Sequence, residues 1–117
     1  MSLRIKRTSK PAPLERSVPV FAALGDETRL KLIAVLCVGG AMSITQLTAG
    51  TALTRQAITK HLAVLADAGL VRDAKIGRER LWEFEPNQLD EARRSLEMIA
   101  SQWDSALERL RLAVETP

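Results

Sequence analysis

The residues best suited to recognition chemistry are Gln56, Thr59 and Lys60, spaced within one helical turn of each other. Ile58, Leu62 and Leu65 in the same stretch fall at i, i+4 and i+7, which sets them on one face of a helix. At 100° per residue Gln56, Lys60 and Ala63 point the opposite way, with Arg55 and Thr59 on the flank. An amide, a hydroxyl and an amine on an outward face almost without acid suit hydrogen bonds to a base edge and a phosphate. Such chemistry is recognition, not bond making. The single histidine, His61, and the single cysteine, Cys37, lie on different segments, and no glycine-rich phosphate loop is present. No nucleophile–base pair or paired acid is readable, so an enzyme is not expected, and neither is a cofactor.

Thr54 is placed to cap the start of this helix, and Gly69 to close its end in a left-handed conformation. Upstream, Ser43-Ile44-Thr45-Gln46 is a capping box that starts a short helix through Ala49, with Gly50 as its stop. Thr51-Ala52-Leu53 then forms a tight turn. Short helix, turn and second helix make a helix-turn-helix, whose second helix enters a major groove in DNA-binding versions. The same geometry also serves plain packing in small helical domains. Before it, residues 15–24 are predicted as a first helix with Pro19 near its start. Asp26 caps a second helix to about Val38, with Leu30, Ile33, Ala34 and Cys37 inward and Gly39-Gly40 at its end. Cys37 on that face reads as a buried, inert thiol, with a redox sensor as the alternative.

After Gly69 the period becomes that of a strand. Leu70 to Ile76 and Arg80 to Glu85 are predicted to pair around a Gly77-Arg78-Glu79 turn, with Trp82 and Phe84 inward. Lys75, Arg78 and Arg80 then sit at the tip of this wing and suit phosphate or minor-groove contacts; a solvated edge is the plainer reading. Next comes a helix over 88–114. Leu89, Ala92, Leu96, Ile99, Trp103, Leu107, Leu110 and Val114 form its apolar stripe, longer than so small a body can cover. Two such helices in an isologous dimer account for the stripe most simply; a helix folded back on its own domain is the alternative.

Charge follows the same map. Residues 1–14 hold four bases and no acid, residues 54–80 six bases against three acids, and residues 81–117 four bases against eight acids. Positive charge at the start and the middle points to a polyanion. With 3% aromatic residues the chain lacks stacking platforms for single strands. One cysteine rules out an internal disulfide and fits a reducing cytoplasm. No run nears the ~20 apolar residues of a membrane span, and Val18 to Gly25 is too short and too broken by Pro19 for a signal peptide. The expected organisation is a disordered basic arm over 1–14, a DNA-binding domain over 15–86 and a dimerisation helix over 87–114 in the same compact unit. The fold class is mainly α with a small β-hairpin.

Taken in order, these segments resemble the ArsR-type winged-helix repressors. Phe21-Ala22-Ala23-Leu24-Gly25-Asp26-Glu27-Thr28-Arg29-Leu30-Lys31-Leu32-Ile33 is similar to the opening signature of that family. Leu53 to Leu62 and Leu65 to Val71 are similar to its recognition helix and exit, and Gly77-Arg78 and Trp82 sit at its wing. The resemblance covers roughly residues 17–112. It implies a cytoplasmic, homodimeric repressor of an inverted repeat, with double-stranded DNA and a second copy as partners and no membrane. It implies DNA contacts at Gln56, Thr59 and Lys60, with Thr54, Arg55 and His61 adjacent. Leu89, Ala92, Leu96, Ile99, Trp103, Leu107 and Leu110 form the expected dimer interface. The metal-sensing members place a cysteine pair in the third helix or histidine with acids on the last. Here those stretches hold Ile44-Thr45-Gln46-Leu47 and acids without histidine, so the metal-independent branch is expected, with room for a small-molecule or protein effector. A protein-interaction module using the last helix, with incidental DNA affinity, is the second reading.

Overall fold

The computed structural model describes residues 13–116. Among these residues five helices and one hairpin follow in order: α1 (Pro13–Leu24), α2 (Glu27–Gly39), α3 (Ile44–Ala49), α4 (Arg55–Asp67), β1 (Val71–Ile76), β2 (Glu79–Phe84) and α5 (Pro86–Glu115). The arm expected over 1–14 lies outside the described residues as far as residue 12, but Pro13 and Leu14 already belong to α1. Proline suits a first helical turn, where its missing N–H is no loss. Pro13 takes that place, and Pro19, expected there, lies inside the helix.

The core is built from Val20 and Ala23 of α1, Leu32, Ile33 and Leu36 of α2, Leu47 of α3, and Ile58, Leu62 and Leu65 of α4. Ala68, Leu70, Val71 and Ala92 complete it. On α2 the inward face differs from the expected one: Leu30, Ala34 and Cys37 are exposed, and only Ile33 of that set is buried. This helix is apolar on nearly every side, so periodicity does not select a face. Burying Leu32 and Leu36 removes more apolar area from water than burying Ala34 and Cys37 would. Cys37 is therefore a surface thiol, contrary to the buried one expected.

Caps hold the corners. Asp26 Oδ2 accepts the Arg29 backbone N–H at 3.0 Å, and Arg29 Nε donates to the Ala23 carbonyl at 2.6 Å, closing the α1–α2 corner. Ser43 and Gln46 form the reciprocal box at the start of α3. The β1–β2 pairing sets Val71 opposite Phe84, Asp73 opposite Trp82 and Lys75 opposite Arg80. The turn is only Gly77-Arg78, with Gly77 at φ 64° and Glu79 already paired with Ile76. Glycine with positive φ at the first turn position matches the twist of a two-residue hairpin. Met42 adds a backbone bridge to Trp82, tying the α2–α3 loop to the hairpin.

The first turns of α5 pack on α1. Ser17 and Ser95 are both buried at the crossing, their hydroxyls 3.2 Å apart, and Arg16 pairs with Glu91 beside them. Thirty residues give α5 a length of about 45 Å at 1.5 Å per residue, and most of it runs past the body.

Candidate nucleic-acid interface

Helix α4 is divided cleanly into two faces. Ile58, Leu62 and Leu65 are fully buried, which fixes the rotation of the helix on the body. Thr54 Oγ1 caps it by accepting the Ala57 N–H at 3.1 Å. At the other end the Gly69 N–H meets the Ala66 carbonyl and the Leu70 N–H meets the Leu65 carbonyl, with Gly69 at φ 78°. That is the paired hydrogen-bond pattern of a Schellman stop. With both ends and one face held, Arg55, Gln56, Thr59 and Lys60 are brought together along one open cleft of about 450 Å³. All four are exposed.

The other sequence-predicted residues are placed differently. Thr54 is engaged as the cap. His61 turns away from the cleft and is half-buried, its Nδ1 4.0 Å from Asp26 Oδ2 at the α1–α2 corner. The Arg29 N–H bonded to Asp26 holds that carboxyl below the usual carboxylate range. Arg55 bridges two elements, its Nη1 donating to Thr45 Oγ1 of α3 at 3.0 Å. Lys75, Arg78 and Arg80 are exposed on the hairpin, and Arg80 pairs with Asp73 at 3.1 Å. Arg72 is committed to Glu83 and Glu85, at 2.7 and 3.3 Å, and the Glu83 hydrogen bond raises its pKa further.

The expected interface residues split into two groups. Ala92 is buried in the core, and Leu89 is half-buried and packed against it. The apolar stripe of α5 is continuous, and its first turns are taken up by α1. Leu96, Ile99, Trp103, Leu107 and Leu110 remain exposed, Trp103 at 62%. Leu14 and Val18 of α1, which the sequence reading did not single out, join Phe21, Leu96 and Ile99 around an open cavity of about 440 Å³ with an almost wholly apolar lining. Among the described residues no three His, Cys, Asp or Glu gather as a metal-holding group. No described helix is long and apolar enough to cross a membrane.

Comparison with known proteins places this arrangement. A family profile described as a helix-turn-helix domain matches residues 24–74. An uncharacterized HTH-type transcriptional regulator of Bacillus subtilis, YuzN, is 39% identical over 71 residues, spanning 56% of this chain and 77% of the relative. The solved structure of an ArsR-like transcriptional regulator from Rhodococcus sp. RHA1 superposes with a TM-score of 0.78 at 35% identity, over 89% of this chain and 97% of that one. The chain belongs to the ArsR-type winged helix-turn-helix transcriptional regulators. The arsenical resistance operon repressor of Escherichia coli is a more distant relative, 30% identical over 70 residues and 60% of each chain. Within an ArsR-type regulator, a family of DNA-binding proteins, α3 and α4 are the helix-turn-helix and β1–β2 the wing.

Proposed function

We propose that this ArsR-type regulator is a homodimeric, sequence-specific repressor of an inverted-repeat operator, working without a metal-sensing site. The observation that carries the reading is the acid-free cleft along α4, where Arg55, Gln56, Thr59 and Lys60 lie side by side on a helix held at both ends. Gln56 suits adenine, Lys60 suits guanine or a phosphate, and Thr59 suits a base or a thymine methyl. The wing bases Lys75, Arg78 and Arg80 add backbone contacts that set position rather than sequence.

The dimer is read from the apolar face shared by α1 and α5. A surface that joins Leu14, Val18, Leu96 and Ile99 around a cavity, and continues through Trp103, Leu107 and Leu110, is larger than scattered exposed leucines would leave. A two-fold axis along α5 lets each copy cover the stripe of the other and sets two α4 helices for the two halves of a palindrome.

Amide hydrogen exchange with and without a mixed-sequence duplex at low salt tests the reading. Exchange should slow over the first turns of α4 and the β1–β2 tip, and stay unchanged over the exposed end of α5. Slowing confined to α5, or none at all, would refute it and favour the interaction-module reading.

A further inference from the structure

We infer that the cleft between the start of α3 and the hairpin seats one phosphodiester of the DNA backbone, clamped by Arg55, Arg78 and Arg80 together. This rests on the DNA-binding reading above and adds a contact separate from the base-reading face. The cleft has a volume of about 280 Å³, and its polar lining is Ser43, Thr45, Arg55, Arg78, Arg80 and a single acid, Glu79.

Four observations make it an anion seat. First, the three guanidiniums come from two elements, α4 and the hairpin, that meet only through the fold. Arginine forks match phosphate oxygens with paired donors. Second, Arg55 is anchored: one of its N–H groups is held by Thr45 Oγ1 at 3.0 Å, which leaves its remaining donors for a ligand. Third, the hydroxyls are poised as donors. Ser43 Oγ accepts the Gln46 N–H at 3.1 Å and Thr45 Oγ1 accepts Arg55; among the described residues neither gives its own hydrogen to an acceptor. Fourth, the hairpin register sets Lys75 directly opposite Arg80, a like-charge pairing that weakens a sheet. Asp73 relieves it in part by pairing with Arg80 at 3.1 Å, and a phosphate would relieve it further. Arg78 at the turn has no ion-pair partner among the described residues.

Arg55 therefore differs in role from its neighbours on α4. It lines both clefts, and it joins the base-reading face to the backbone clamp.

The test is the salt dependence of binding to a short mixed-sequence duplex, for the wild type, each single Arg→Ala variant at 55, 78 and 80, and the triple variant. Neutralising one phosphate contributes about 0.9 to the slope of log affinity against log salt. If the three share one phosphate, the triple variant loses about 0.9 per protomer and no more. A loss of about 2.7 per protomer would mean three separate phosphates, and an unchanged slope would mean no contact here; either overturns the proposal. Duplex binding that persists in the triple variant with an unchanged slope would sink the clamp and leave the α4 reading standing. Failure of the wild type to bind any duplex would overturn both. Thr45→Val, which removes the anchor of Arg55 without altering charge, should weaken binding to all duplexes alike. An altered sequence preference instead would make Arg55 a base reader and contradict the clamp. Inorganic phosphate titrated into the DNA-free protein separates the sources. Tight binding that the triple variant abolishes, with duplex binding unaffected, would make this a free-phosphate site and overturn the assignment.

Discussion

Ile99→Glu is the most informative substitution for the proposed dimer. Ile99 lies on α5 beside Leu96, at 45% exposure, and faces the apolar cavity that α1 closes with Leu14 and Val18. Full burial of an isoleucine side chain stabilises by about 1.5–3 kcal/mol, so covering the exposed half contributes about 1 kcal/mol. A two-fold interface contains the residue twice, which doubles the loss to about 2 kcal/mol. The substitution also brings two carboxylates under an apolar rim, close to Glu15, which lines the same cavity. Desolvating them without a partner adds several kcal/mol in total. At 1.4 kcal/mol per factor of ten, the dissociation constant should rise by about a thousandfold or more. Sedimentation equilibrium reads this directly, with helical circular dichroism as the control for folding. Val38→Glu is the matched comparison: Val38 is 91% exposed on α2 and lines no part of this cavity, so its dimer should be unaffected. An Ile99→Glu protein that stays folded and dimerises as tightly as the wild type would refute the interface.

Two further substitutions test the framework that holds α4. Gly69→Ala forces a side chain into φ 78° and places its Cβ 2.7 Å from Gln88 Cγ, so Gln88 must shift. Urea unfolding should show a loss of about 1–2 kcal/mol from the backbone alone. An unchanged midpoint would mean the Schellman stop is dispensable. Asp26→Asn keeps an oxygen to accept the Arg29 N–H and removes the titration. Because that N–H lowers the folded pKa of Asp26, its electrostatic contribution is present above the ordinary value of 3.8 and is lost as pH falls through the lowered value. The stability of the Asn variant should therefore fall less steeply on the acid side than that of the wild type. Parallel acid limbs would contradict this role for Asp26.

Different parts of the molecule were legible in the sequence to different degrees, and the reasons are physical. Helix α4 could be read because Ile58, Leu62 and Leu65 share one face opposite a short polar one, and of its large aliphatics only Val64 lies off that face and stays exposed. The capping box at Ser43 and the stop at Gly69 are set by local hydrogen bonds and a left-handed residue, both visible in a few residues. The buried face of α2 does not follow from periodicity, because Leu30, Ala34 and Cys37 compete with Leu32 and Leu36 on equal terms and packing against α1, α4 and β2 decides. On α5 the stripe is continuous, and nothing in it marks where the core ends; that boundary is drawn by α1 through the buried Ser17–Ser95 contact. Of the site, the outward residues of α4 followed from the wheel. The hydrogen bond from Arg55 to Thr45 depends on the turn angle between two helices, and His61 is drawn aside by a corner 35 positions upstream.

In the proposed mode of action, α4 reads DNA sequence for a two-fold dimer. The most direct test is selection from random duplexes at near-physiological salt, with the wild type beside Gln56→Ala/Thr59→Ala. Each good base contact contributes about 1–3 kcal/mol of discrimination, so losing two should erase the preference while wing contacts keep weak binding. The wild type should enrich an inverted repeat with half-sites about 10–10.5 base pairs apart, and the double variant, though folded and dimeric, should not. The same repeat enriched by the double variant, or no enrichment by a folded, dimeric wild type, would refute sequence reading by α4.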